Sequence, residues 1–239
     1  MRSLLTLLLL AFAVGGATAQ DAPADTLVLT PGDGMLTTDW LEAGTESFTV
    51  RLVAPMRQNV GTATETLTIE DGVVTRVTEI SVPMQGLAQT DSIAADAATL
   101  VPRTHNSMGG PIEVSLEFMS EGVVGMVTPP EGDATTVTLM TDAPVFDSAW
   151  AGEVAQSLPL IEGTVARMQA FTAQSPDAPI DVVYTVGAQE TMDERTVWPV
   201  STEMGPVTMT YYVEAETREL LKTQFSPQPG VTVEIAPAE

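Results

Sequence analysis

Apolar side chains recur at every second position along much of this chain, a period that commits it to extended strands whose alternate residues face opposite sides of a sheet. In residues 47–54, Phe48, Val50 and Leu52 share one face. Further on, Ala63, Leu67 and Ile69 alternate with Thr62, Thr64, Thr66 and Thr68, and Asp71-Gly72 then turns the chain into residues 73–82. An Asp-Gly pair tolerates the positive φ angles of a two-residue hairpin turn, so this is the strongest hairpin signal present. A second hairpin is predicted where Ile112, Val114, Leu116 and Phe118 alternate with Glu113, Ser115 and Glu117, with Glu121-Gly122 as the turn into residues 123–127. Pro129-Pro130-Glu131-Gly132-Asp133 separates that strand from residues 135–141, where Val137 and Leu139 face one way. Residues 180–186, 195–200, 207–213, 220–225 and 231–235 read as further strands.

Composition agrees with this pattern. The chain holds 33 Thr and only 17% charged residues, and β-branched side chains suit a pleated surface better than a helix. Helix signals are few. Asp147 is placed to cap a short helix through about Ser157, with Trp150, Val154 and Leu158 at i, i+4 and i+8 and Pro159 closing it. A second helix candidate, residues 93–100, is Ala-rich but short, and could equally be a loop and strand. The fold class is therefore mainly β, with one or two short helices. Residues 172–179 are the sole linker-like stretch after the leader, and short enough for an ordinary loop, so a single β-rich domain over 20–239 is expected.

The first residues read as a sorting signal. Arg2 supplies the positive start, residues 4–14 the apolar run, and Ala17-Thr18-Ala19 the small-x-small site that a signal peptidase cuts after. A leader at 1–19 implies export to a periplasm or beyond the cell. The apolar run is too short to span a bilayer, and no later stretch is long and apolar enough, so no integral membrane segment is expected after cleavage.

Charge and residue counts exclude several chemistries. Thirty-two acids against nine Lys plus Arg give a net charge of −23, which becomes −24 once Arg2 leaves with the leader. A polyanion must be met by Lys and Arg, so nucleic acid is excluded as a partner, and an anionic membrane surface is a poor one. With no Cys and one His, thiolate sites, disulfides and multi-histidine metal sites are impossible. Acidic turns such as Gly32-Asp33-Gly34 offer too few local ligands for calcium, and Met108-Gly109-Gly110-Pro111 has neither a dinucleotide fingerprint nor a phosphate cradle. No cofactor and no metal are expected. An acid excess with little Lys suits surface solvation in a salty exterior.

The order of turn and core features is similar to that of a family. Asp91-Ser92, Leu100-Val101-Pro102-Arg103, Leu116-Glu117-Phe118 and Val123-Val124-Gly125 are followed by Phe146-Asp147-Ser148 and Leu158-Pro159-Leu160 with Gly163. Val186-Gly187, Tyr212-Val213 and Thr217-Arg218-Glu219-Leu220-Leu221 complete the order. Over roughly residues 40–235 this resembles a group of uncharacterised secreted bacterial β-rich proteins of unknown function. The resemblance implies an envelope protein built on a strongly curved antiparallel sheet, a half-barrel or open barrel, similar in architecture to periplasmic lipoprotein carriers. It brings no catalytic residues. A charge of −24 departs from the more basic surface usual in such carriers.

Candidate site residues fall into two classes. His105 titrates near neutrality and could serve as a general base, with Ser92, Ser107 or Ser148 as formal nucleophiles, but no nucleophile elbow accompanies it; its ordinary reading is a solvated loop histidine between two strands. Glu113 and Glu117 form a carboxylate pair on one strand face, where clean alternation reads as solvent-facing. The alternative function is thus a secreted hydrolase using His105 or a carboxylate pair. The favoured reading is a non-catalytic exported envelope protein that binds an apolar small molecule or lipid, or an envelope protein partner, on a curved β sheet. Its expected ligand-binding residues are Phe118, Met126, Trp150, Val154, Leu158, Phe171 and Tyr211. Scattered methionines, among them Met84, Met108, Met119, Met140, Met168, Met204 and Met209, suit an adaptable apolar lining.

Overall fold

A computed structural model describes residues 26–238, so the leader expected at 1–19 lies outside the described residues. Among the described residues, seventeen strands form one sheet. In chain order they are β1 (Leu27–Leu29), β2 (Gly44–Ala54), β3 (Gln58–Glu70), β4 (Val73–Val82), β5 (Leu87–Asp96), β6 (Pro102–Met108), β7 (Glu113–Met119), β8 (Gly122–Thr128), β9 (Thr135–Met140) and β10 (Phe146–Asp147). A 3₁₀ turn (Ser148–Trp150) and one helix, α1 (Ala151–Ser157), follow. The remaining strands are β11 (Val165–Phe171), β12 (Ile180–Val186), β13 (Glu190–Met192), β14 (Arg195–Met204), β15 (Val207–Glu214), β16 (Leu220–Gln228) and β17 (Val231–Pro237). No helix among the described residues is long and apolar enough to cross a membrane.

Strands β2 to β9 form one antiparallel meander and β11 to β17 a second, and β17 pairs antiparallel with β2 to join them. Along the outer side of β11, β1 and β10 lie end to end, both parallel to it. The sheet therefore ends at β9 on one side and at β1 with β10 on the other. Only residues 141–145 separate β9 from β10, and five residues reach at most about 18 Å. The two ends must curve back toward each other. They do not pair: among the described residues no ladder joins β9 to β1 or β10, and a seam is left.

Curvature has visible causes. Register shifts interrupt the pairing of β2 with β3, of β5 with β6, and of β15, β16, β17 and β2 in succession, and each such bulge bends its strand and raises the local twist. Gly125 contributes in β8. Its φ is +145°, and a Cβ there would stand 2.1 Å from the carbonyl oxygen of Ser115 on β7.

The curved face is filled rather than hollow. One apolar cluster packs Leu100, Phe146, Trp150, Val154, Leu158, Met168 and Tyr184 between α1 and the sheet. A second gathers Val114, Leu116, Val123, Val127, Val137 and Leu139 from β7, β8 and β9 around Val145 and Phe171.

Several local expectations shift. The Asp71-Gly72 hairpin forms with Glu70 opposite Val73, and both turn residues have positive φ. The next hairpin turns on Ser120-Glu121, one residue earlier than predicted, because Gly122 already pairs with Met119 as the first residue of β8. Residues 93–96 are strand, within β5. Residues 103–107 are β6 rather than loop; Arg103-Thr104-His105-Asn106-Ser107 shows no apolar alternation because its inward side chains are polar and find polar partners.

Replacing Gly125 with Ala should lower unfolding stability in urea by about 1–3 kcal/mol, the cost of holding a side chain at a backbone angle that suits glycine. Gly44→Ala, where no atom lies within 4 Å of the added carbon, should change it by less than about 0.5 kcal/mol. Equal effects would remove Gly125 from the account of curvature.

Candidate functional site

The interior chemistry follows from register. Leu67, Arg76, Ile93, His105, Leu116, Gly125 and Val137 stand directly opposite one another on successive strands from β3 to β9. They form a single row on the concave face. Two strand spacings, about 10 Å, separate Arg76 from His105, with Ile93 between them. Glu65, Thr78, Asp91 and Ser107 form the neighbouring row.

Both cations reach the segment that precedes and begins α1. Arg76 forms an ion pair with Glu153 and donates through Nη2 to the carbonyl of Ala149 at 2.6 Å. Its guanidinium lies 5.3 Å from the ring centre of Trp150, in cation–π range, and its Nε is 3.7 Å from Glu65. His105 Nδ1 makes an ion contact with Asp147 at 2.8 Å, and Nε2 stands 3.2 Å from Asp91. Asp147 in turn accepts from the Ala149 amide at 3.0 Å and caps the 3₁₀ turn, as the sequence predicted for this position. The far end of α1 is tied as well: Arg218 donates to the carbonyls of Gln156 and Leu158 at 2.8 and 2.7 Å, and the Thr37 amide donates to that of Ser157 at 3.0 Å. These bonds satisfy carbonyls that a helix end leaves open.

Protonation follows the geometry. Burial would lower the pKa of His105, but the Asp147 charge and the hydrogen bonds with Asp147 and Asp91 outweigh it and raise the value to about 10. Burial would raise Asp91; its hydrogen bond and charge interaction with His105, a bond with Ser107 and the Arg76 charge prevail and hold it below the usual carboxylate range. Burial pushes the Glu153 carboxyl up while Arg76 pulls it back. Arg76 is held firmly in its charged form, its burial outweighed by Glu153 and Glu65.

This arrangement is a poor base. Both ring nitrogens of His105 are taken by carboxylates, and a cation that keeps its proton to about pH 10 has no lone pair to offer. Ser107 faces Asp91 and accepts from Gln89 at 3.2 Å, so it does not bond to the histidine. The expected solvated loop histidine is replaced by one whose side chain is 12% exposed on a strand. Its inward orientation is set by the pleat. Glu113 and Glu117 are exposed on the opposite face of β7.

The seven expected ligand-binding residues separate into three places. Trp150, Val154, Leu158 and Tyr211 share the core cluster beneath α1. Phe171 lies in the second cluster with Phe118 at its margin, their rings edge to face at 6.0 Å. Met126 stands apart, exposed on the convex face opposite Ser115 and Thr136. Of the methionines, Met168 is in the core and Met204 and Met209 pack against it, whereas Met84, Met108, Met119 and Met140 are exposed.

A cleft of about 360 Å³ opens at the seam, where β1 stops short of β10 along β11. Val28, Leu29, Pro144, Val145, Met168 and Pro179 supply its apolar wall. Arg167 and Gln169 stand at its side, both bonded to Asp181. None of the seven residues expected to bind ligand lines it. Only strand pairing reveals it, since β1 and β10 are three and two residues long and too brief to show a period.

Two measurements test the ion contacts. Unfolded histidine loses its proton near pH 6.5, while the folded state keeps it to about pH 10, so the folded state binds the extra proton between these values. Its contribution is fully present below about pH 6.5 and is lost as pH rises through about 10. Urea midpoints should therefore fall across that window, and less steeply in His105→Gln. In a second series Glu153→Ala, which leaves the buried Arg76 with only the more distant Glu65 as a charged partner, should cost about 3 kcal/mol, against less than about 0.5 kcal/mol for Glu162→Ala at an exposed site.

Among curated proteins, none matches this sequence. The crystal structure of a beta-barrel-like protein of domain of unknown function DUF1849 from Brucella abortus matches with a TM-score of 0.51 at 11% identity, covering 82% of this chain and 95% of that one. At that identity the likeness is one of fold alone. A Parabacteroides distasonis protein provisionally described as a lipoprotein aligns over 87% of this chain and 99% of its own, at 6% identity and a TM-score of 0.30, too low to argue from. The family model for the proteins of unknown function DUF3108 matches residues 37–235. That span takes in the joined meanders, the Arg76 and His105 row and the helix it holds, and the chain belongs to the DUF3108 family.

Proposed function

We propose that this is a non-catalytic exported protein of the bacterial envelope that binds a small apolar molecule, such as an acyl chain, in the cleft at the open seam of its sheet. The observation that carries the reading is the cleft itself. Its volume of about 360 Å³ falls in the range of small-molecule sites, and an apolar wall with a few polar groups at the side is the usual makeup of such sites. The opening exists because the sheet stops short of closure, so a guest need not displace the packed interior. Export rests on the leader read at 1–19, and periplasm or exterior are both compatible with it.

Trp150, Val154 and Leu158 then serve the site indirectly. They fill the concave side through α1 and keep the sheet open to a fixed extent, while the guest contacts the seam. The hydrolase alternative has little support, because His105 is held as a cation between two carboxylates and Ser107 is bonded elsewhere.

Protein purified from its own host should release an apolar molecule on solvent extraction, detected by native mass spectrometry as a mass difference. Titration of the extracted protein with dodecanoate should show saturable binding, weakened about tenfold or more in Val28→Asp, since a charge in the wall must be desolvated when an apolar guest enters. Val28 is exposed, so the fold should tolerate the change. Dodecanoate binding unaltered by Val28→Asp would remove the cleft as the site.

A further inference from the structure

We propose that β9 is a docking edge for an extended segment of a partner protein, a short run of alternating apolar residues flanked by Lys or Arg, which adds to the sheet as a further antiparallel strand. The Thr141 amide donates to the Glu121 carbonyl at 3.0 Å, so residues of that parity in β9 turn their backbone groups toward β8. Thr136, Thr138 and Met140 therefore turn theirs the other way, where no described strand pairs. A row of open N–H and C=O groups is a template for another strand.

This edge also lacks the usual protections. Natural edges are shortened, charged or interrupted by proline. At the opposite end of the sheet β1 and β10 are three and two residues long, whereas β9 runs six residues, Thr-Thr-Val-Thr-Leu-Met, with neither charge nor proline. Val137 and Leu139 are buried on its concave side, and Thr136, Thr138 and Met140 are exposed on the other. An added strand with apolar residues at alternate positions would continue the apolar side toward the seam.

Charge selects the occupant. From Arg103 to Arg167 the intervening chain has no Lys or Arg and nine acids. Exposed Glu131 and Asp133 lie before β9 and exposed Asp142 after it. A second copy of this chain, paired antiparallel with Thr138 opposite its own counterpart, would bring Asp133 of each copy within one position of Asp142 of the other, and like charges that close repel. A basic segment meets the same two ends with opposite charge. The long-range attraction to a chain of −23 also speeds its encounter.

Fluorescence anisotropy on the leader-free chain, with the labelled peptide Lys-Val-Thr-Val-Thr-Val-Lys, tests the proposal. Saturable binding is expected, weakened about tenfold or more when the central Val of the peptide is Pro, or when both Lys are Glu. In the protein, Thr138→Pro removes an outward donor without touching the β8 ladder, and should weaken binding to the same degree while the thermal midpoint stays within a few degrees. As a second variant, Asp133→Asn with Asp142→Asn should weaken the Lys-flanked peptide and leave the same peptide with Gln at both ends unaffected. Dodecanoate titration of Thr138→Pro separates this edge from the cleft, and unchanged dodecanoate binding is expected. Equal affinity of wild type and Thr138→Pro, equal affinity for the Glu-flanked peptide, or a dimer that Thr138→Pro dissolves would each overturn the proposal.

Discussion

Two cations on one row of the curved sheet, Arg76 and His105, hold residues 147–153 against its concave face, and the interior is organised around that hold. A helix of seven residues has almost no stability of its own in water. Here the sheet supplies what the helix lacks. Arg76 engages Glu153 and Trp150 near the start of α1, His105 fixes the capping Asp147, and Arg218 closes the far end. Removing a partner from such a contact leaves a buried charge uncompensated, which costs far more than the contact itself contributes. The carboxylates inside this acidic protein are therefore tolerable because its few cations are placed beside them.

With the helix in place, the concave side is occupied by side chains such as Trp150, Tyr184 and Phe146, which are fully buried. An apolar guest cannot share that space without expelling part of the core. The curvature that wraps the sheet around the helix also leaves its ends unpaired, because residues 141–145 bring β9 near β10 without joining them. One structural compromise thus yields two openings of different chemistry. The cleft presents apolar side chains, while the free side of β9 presents backbone donors and acceptors set among carboxylates.

Legibility in the sequence followed the apolar pattern. Strands such as β12, whose bounds Ile180–Val186 match the alternation residue for residue, were readable because one face is apolar. The capping role of Asp147 was readable because a short polar side chain preceding an i, i+4, i+8 apolar series has few other uses. His105 was not readable. It lies in a strand whose inward residues are polar, and its partners Asp91 and Asp147 are 14 and 42 positions away in the chain. Nor was the cleft, which arises where two very short strands fail to meet.

By itself the sequence determined what depends on neighbours along the chain: extended strands, the Asp71-Gly72 turn, a mainly β fold, a strongly negative charge and the lack of thiol chemistry. Only the tertiary structure decided which inward side chains would face each other, whether the sheet would close, and whether its one histidine would be a base or a fixed cation. The reason is physical. Alternation sets the face on which a residue lies, but register, bulges and curvature, summed over many strands, set what lies opposite it.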